Sequence, residues 1–216
     1  VVRMKIFLTG LGKHSFFGVH KTTWMSGMMR KRSLNRHFQI AGQRYRINNG
    51  PSLGCYQEVL TDLYYQLTNL LSHHSRLLFL RLDVKVYHYS KDNRKLSYFL
   101  RQLKRNLKSY FGLTRVGYLW VRELSKKDKQ HYHLILLLDG NKVQHPRNVI
   151  NISENIAYRC DMPCPYTPKN CYLKISRNDT ENFGRAIYRG SYMAKTRSKQ
   201  CKKGIRSFGS SNITKR

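Results

Sequence analysis

The chain has 216 residues, 40% of them hydrophobic, enough for one domain with a buried core and an extension. Against 41 Lys and Arg stand only 11 Asp and Glu, a formal net charge of +30. That excess repels itself in a compact state and exceeds what solubility needs, so a polyanionic partner is expected, nucleic acid first and an anionic membrane second. No apolar run approaches the roughly 20 residues that span a bilayer, and Val1 to Leu11 is too short and interrupted for a secretory signal. Five cysteines, an odd number without a signal, suit a reducing cytoplasm. The first residue is Val and the first methionine is Met4, which reads as a fragment or an alternative start.

Residues 1–54 are rich in Lys, Arg, Gly and Ser with little periodicity, and read as a loose basic arm. Val59, Leu63, Leu67 and Leu70 then recur at helical spacing, predicting a helix over about 56–72. In "RLLFLRLDVKVYHYS" Leu78, Leu80, Leu82, Val84 and Val86 alternate with Phe79, Arg81, Asp83, Lys85 and Tyr87, a period of two that predicts a strand. Leu96, Phe99, Leu100, Leu103 and Leu107 form the stripe of an amphipathic helix between an Asp92 cap and a Gly112 stop. "RVGYLWVRE" and "HYHLILLLD" predict two antiparallel strands joined by the polar turn "SKKDKQ". A helical piece near 146–158, a loop rich in Pro and Cys, a strand at "NCYLKI" and a helix from about 182 that continues through Gly190 complete the order. Residues 55–210 are therefore expected to form an α+β domain, a small antiparallel sheet with helices packed on one face, followed by a basic tail over 211–216. The other face of the sheet would be free to hold a site.

Residues two apart on a strand share a face, so His131 and His133 can offer two imidazoles to one divalent cation. The hairpin brings Glu123 beside them. Two His and one carboxylate leave positions open for substrate oxygens. Tyr132 and Leu134 would point into the core. An H-x-H pair alone is also what a solvated strand face looks like. On the last helix Tyr188, Tyr192 and Lys195 fall on one face. A phenol becomes a competent nucleophile when a cation stabilises the phenolate and a metal polarises the electrophile. Tyrosines packed on a sheet beside a snorkelling lysine would look the same.

Together, "RLDV", "YLWVRE", "HYHLILLLD", "SYMAKT" and "RSFGSS" resemble the HUH superfamily of single-strand DNA nucleases, and more closely the inovirus-type, gene-two-like replication proteins of filamentous phages. The resemblance covers about 75–210 and implies an RRM-like sheet. It implies an endonuclease that nicks and rejoins single-stranded DNA through a 5′-phosphotyrosyl link, freeing a 3′-hydroxyl that starts rolling-circle replication. It places Mg or Mn on His131, His133 and Glu123, the nucleophile at Tyr192 and its lysine at Lys195. Tyr188 is either a second nucleophile or a packing residue. Arg81, Arg122, Lys126, Lys127 and Lys129 are expected to guide the strand, with Tyr87 and Tyr118 stacking on bases. Origin DNA, a host replication helicase and a polymerase are the expected partners, in a bacterial host cytoplasm without membrane attachment.

Two alternatives stand beside this reading. One is a non-catalytic basic binder using an RRM-like platform; the other is a relaxase or transposase with the same chemistry. The segment around "YRCDMPCPYTPKNCY" matches no pattern. Cys160, Cys164 and Cys171 with Cys201 or His145 would make an irregular zinc knot, and ordinary reduced thiols explain them as well. Asp83 either supports the metal site or pairs with an arginine. No Gly-rich NTPase loop is visible, so helicase activity is not expected.

Overall fold

The computed structural model describes residues 31–50, 54–124, 130–196 and 204–216. In chain order these form β1 (Arg32–Ser33), β2 (His37–Ile40), β3 (Gln43–Arg46), β4 (Cys55–Tyr56), α1 (Gln57–His73), β5 (Arg76–Lys85), α2 (Arg94–Phe111), β6 (Gly117–Leu124), β7 (Gln130–Asp139), α3 (Arg147–Arg159), β8 (Tyr172–Ser176), α4 (Thr180–Gly190), a 3₁₀ turn (Ser191–Ala194) and β9 (Phe208–Ser210). The main sheet has five antiparallel strands in the order β8-β5-β7-β6-β9. The α+β class and the antiparallel β6–β7 hairpin are as the alternation of apolar residues predicts. Among the described residues no helix is long and apolar enough to cross a membrane.

The helices do not keep to one face. Leu77, Phe79, Leu119, Val121, Ile135 and Leu137 project to one side, where α1 and α4 cover them with Leu63, Leu67, Leu70 and Ile187. Leu78, Leu80, Leu82, Leu134, Leu136 and Leu138 project to the other, where α2 and α3 bring Phe99, Leu103, Leu107, Val149 and Ile156. The expectation of a free sheet face is therefore corrected: both faces are apolar along β5 and β7, and each leucine so buried contributes about 2 kcal/mol. A strand flanked on both sides loses alternation and becomes a continuous apolar run, as in "LILLL" of β7.

α2 stops where expected, on Gly112 in the left-handed region (φ 62°), whose N–H bonds back to Lys108 O. At its start the cap position falls on Asn93, one residue after the expected Asp92, whose carboxylate instead accepts from Arg94 N at 3.0 Å. The last helix ends at Gly190 and does not continue to Lys195. A Cβ at Gly190 would lie 2.5 Å from Leu63 Cδ2, so α4 rests closely on α1 at the point where the chain tightens into the 3₁₀ turn.

Residues 31–50, within the stretch expected to be an arm, fold onto the domain. β2 and β3 form a hairpin, β1 pairs with β4, and Phe38 and Ile47 join the core under α1. Asn48 N donates to Ser191 Oγ at 2.8 Å, Thr196 N donates to Gly54 O at 2.8 Å, and Cys55 bridges Lys195. The first 30 residues lie outside the described part.

Candidate metal and tyrosine site

At one end of the α1/α4 face the apolar residues give way to charge. Register sets His133 between Asp83 on β5 and Val121 on β6, and His131 between Lys85 and Glu123. All these side chains share one face, as the alternation of β7 requires. Tyr132 and Leu134 point the other way and are fully buried.

His133 is held between two carboxylates. Its Nδ1 lies 2.7 Å from Asp83 Oδ1 and its Nε2 lies 2.7 Å from Glu123 Oε2. His131 Nε2 lies 3.7 Å from the same Glu123 oxygen, and the two imidazoles meet edge to face with centroids 5.0 Å apart. Burial works against a charged His133 ring, but the hydrogen bonds to Asp83 and Glu123 outweigh it and raise its pKa above the ordinary histidine value. Burial, with the neighbouring His133, lowers the pKa of His131 and keeps that ring neutral with a lone pair to offer. Burial would raise the Asp83 pKa, yet the hydrogen bond from His133 and the charges of His133 and Arg81 hold it below the usual carboxylate value.

The donor set fits a divalent cation. One ligand atom from each of Glu123, His131 and His133 lies within 4.8 Å of the others, and they are the one such group among the described residues. Two imidazoles and a carboxylate suit Mn, Zn or, with water completing the shell, Mg. With both ring nitrogens of His133 donating to carboxylates, a metal would stand where the Nε2 proton stands. Asp83 would keep the Nδ1 hydrogen bond that orients the ring, the usual outer partner of a ligating histidine. Asp83 is thus placed for both roles the sequence left open, bonded to His133 and within 3.4 Å of Arg81 Nη2 through each of its oxygens.

The 3₁₀ turn lowers Tyr192 onto this cluster. Its ring packs edge-on against His133 with centroids 5.5 Å apart. Arg81 Cζ lies 4.4 Å and Lys195 Nζ 5.0 Å from the Tyr192 ring centroid, so two cations flank the phenol. Lys195 reaches it from an extended backbone (ψ 135°) rather than along a helix face, so the expected shared face of positions 188, 192 and 195 is replaced by a turn that converges on one ring. Tyr188 sits one helical turn earlier beneath Arg46, whose Cζ is 5.6 Å from its ring. Tyr188 and Tyr192 line one cleft of about 260 Å³ with Asn48, Arg81, Lys169 and Arg189, but the ring packed edge-on against His133 is that of Tyr192.

The expected strand-guiding cations separate. Arg81 is in the site. Arg122 is a correction: it projects from β6 to the opposite face, is 4% exposed, and donates to Asp92 O at 3.0 Å, Asn93 Oδ1 at 3.2 Å, Gln130 Oε1 at 2.9 Å and to Ser90 O. A guanidinium so buried, with both terminal nitrogens committed, holds loops together and does not face a passing strand. Lys126, Lys127 and Lys129 lie outside the described residues. Of the aromatic pair, Tyr87 is exposed and Tyr118 lies on the α2 face. Cys160, Cys164 and Cys171 are free thiols that gather no metal-capable group among the described residues, His145 packs on Tyr172 instead, and Cys201 lies outside them.

Residues 39–211, from the β2–β3 hairpin through β9, match the model of the YagK/YfjJ C-terminal domain. The chain belongs to that family. It is 31% identical over 111 residues to the uncharacterized protein YfjJ of Escherichia coli (strain K12), an alignment covering 44% of this chain and 53% of the relative. The chain thus spans about half the length of the curated relative it matches. No solved structure matches it.

Proposed function

We propose that the protein is a metal-dependent endonuclease of the HUH type, closest to the inovirus-type replication proteins. It nicks and rejoins single-stranded DNA and so initiates rolling-circle replication of a phage or related mobile element. The observation that carries this reading is the packing of Tyr192 against His133, the central member of the His131, His133 and Glu123 group. A packing tyrosine needs only an apolar surface, whereas this one stands between two cations and three metal-capable side chains.

Mg or Mn held by His131, His133 and Glu123 supplies neutralisation of the scissile phosphate's charge. The chain's own residues do the rest. Tyr192 Oη forms a bond to phosphorus while the bond to the 3′-oxygen breaks, the phenol proton leaves to solvent and the 3′-oxygen takes up a proton. Arg81 and Lys195 stabilise the phenolate and the phosphate oxygens. The phosphotyrosyl ester conserves the bond energy, so attack by a 3′-hydroxyl reverses the step without a nucleotide cofactor. The five-stranded sheet with both histidines on its central strand is compatible with an HUH variant of an RRM-like sheet. The rival reading, a passive RRM-like binder, needs an open sheet face, and helices cover both faces here.

The test uses single-stranded DNA from the replicon that encodes the chain, labelled at its 3′ end, with Mn or Mg. Wild type and Tyr188→Phe are expected to carry the label as a covalent adduct resistant to denaturation. Tyr192→Phe, His131→Ala and chelation by EDTA should abolish it. An adduct that survives in Tyr192→Phe and disappears in Tyr188→Phe moves the nucleophile to Tyr188. Absence of adduct across the whole replicon with either metal supports the passive binder.

A further inference from the structure

α2 is a helix whose charges oppose its own stability. Its sequence, RKLSYFLRQLKRNLKSYF, carries six Lys and Arg and no Asp or Glu. Arg94 and Lys95 occupy the first turn, where the helix dipole disfavours cations. Arg101 with Arg105, and Lys104 with Lys108, stand as like charges four residues apart, each pair costing a few tenths of a kcal/mol. Such a surface is tolerated most readily if an anion covers it.

The same helix lines a second cleft of about 260 Å³, on the face of the sheet opposite the metal site. Arg101, Lys104 and Arg206 bound it together with Ser97, Tyr118 and Trp120. Lys104 Nζ lies 5.4 Å from the Tyr118 centroid, and Arg101 Cζ lies 5.2 Å from the ring of Tyr98, which is 46% exposed. Among the described residues neither Arg101 nor Lys104 has a carboxylate partner; the nearby ion pairs of this face join Arg94 to Asp92 and Lys95 to Asp161. Asp62, the acid on the other side of β9, is engaged by Ser210 Oγ at 2.8 Å. Arg206 belongs to "RSFGSS", the segment that forms β9, and its Nε donates to Phe208 O at 2.9 Å. Gly209 shapes the floor: a Cβ there would lie 3.0 Å from the Trp120 ring, so a larger residue would push β9 and the indole apart by a few tenths of an ångström.

We infer that this cleft and the basic ridge of α2 form a second binding site for single-stranded nucleic acid, in which Arg101, Lys104 and Arg206 hold backbone phosphates and Tyr98 and Tyr118 meet bases. Cations interleaved with aromatic rings, here the exposed Tyr98 and the half-buried Tyr118 at the cleft wall, are the means by which sequence-tolerant strand binding is built. The site lies across the sheet from His131 and His133, so it grips a different stretch of strand from the one at Tyr192. It does not rest on the nuclease reading and stands if that reading fails.

The test is fluorescence anisotropy of a short labelled oligothymidine with the full chain in EDTA, across a series of salt concentrations. Arg101→Gln/Lys104→Gln is compared with wild type and with Lys174→Gln/Arg185→Gln, which removes the same charge from β8 and α4. Each lost phosphate contact lowers the slope of log K against log salt by about 0.7. The α2 double variant should therefore lose about 1.4 in slope and bind roughly tenfold or more weakly near physiological salt, while its melting temperature is no lower than that of wild type, since both like-charge pairs are relieved. The control should stay within about twofold of wild type, the most that two non-contacting charges are expected to change. Equal affinity and slope in wild type and the α2 variant, or an equal loss in the control, overturns the proposal.

Discussion

Two polar knots are tied on the two faces of the β6–β7 hairpin, and they differ in kind. On one face Arg122, Gln130, Tyr132 and Asn93 join with backbone carbonyls of Ser90 and Asp92. Donors and acceptors there saturate each other, and the knot ties the 90–93 loop to the hairpin. On the other face Glu123, His131, His133 and Asp83 bring two carboxylates and two imidazoles together with a proton that a cation can replace. Adjacent residues, Arg122 and Glu123, therefore serve opposite purposes. A buried polar cluster is structural when its bonds are complete within the chain, and a candidate site when its strongest bonds can be exchanged for those of a ligand.

The contrast breaks most visibly at Arg122. Its replacement by Ala removes four charge-assisted hydrogen bonds and leaves the Ser90 and Asp92 carbonyls without that donor, while Asn93 Oδ1 keeps Tyr132 Oη and Gln130 Oε1 keeps Ser90 N; the loss should cost about 3 kcal/mol. For a domain of this size that lowers Tm by roughly 10 °C in a thermal melt. Mn affinity of the protein that remains folded should be unchanged; a parallel loss of Mn binding would show that the two knots are coupled through the hairpin.

A smaller effect is expected from Asp83→Asn. The side chain keeps its shape but loses the charge that orients His133 Nδ1. Mn affinity, read by isothermal titration calorimetry, should fall at least tenfold while Tm moves by only a few degrees. An unchanged affinity would mean that His133 does not ligate.

The smallest effect sharpens the rule from the far end of β7. There His74 Nδ1 lies 3.3 Å from Asp139 Oδ2, a histidine–carboxylate pair outside both knots. Burial lowers the His74 pKa, Asp139 opposes this, and Arg115, His73 and Lys142 reinforce it. The folded state thus binds its proton at lower pH than the unfolded state does. Stability contributed by the neutral ring is present above about pH 6.5 and is lost as pH falls through the lowered folded value. His74→Gln should flatten urea-derived stability against pH below about 6.5. A slope as steep as wild type would assign the effect to another group. One carboxylate does not offset the burial of an imidazole at His74; two do at His133.

Much of this was legible in the chain. Period two located β5, β6 and β7, and alternation put His131 and His133 on one face with Tyr132 in the core. The same parity, carried back to β6, would have separated Arg122 from Glu123, since neighbours on a strand point to opposite sides. "LILLL" also held the signal that both faces of the sheet are covered, because a half-open strand would have alternated. What local pattern could not supply was the ending of α4. Helical spacing runs through "RGSYMAKT", yet the chain tightens at Ser191, whose hydroxyl accepts from Asn48 N, and the close seat of Gly190 on Leu63 fixes where it does so. Both contacts cross more than a hundred residues. The small apolar content of residues 31–50 hid their role for the same reason: Phe38 and Ile47 matter through the core they join.

That fastening of the 3₁₀ turn to the segment around Asn48 and Gly54 imposes an order on how the protein comes into being. As the chain leaves the ribosome, the strands carrying Asp83, Glu123, His131 and His133 are complete long before Tyr192 is made. A metal-capable hairpin exists first and is harmless by itself. The phenol is then set in place by a segment translated before all of these strands and a turn translated after them, so the two halves of the site meet only once Ser191 has been made and reaches back to Asn48.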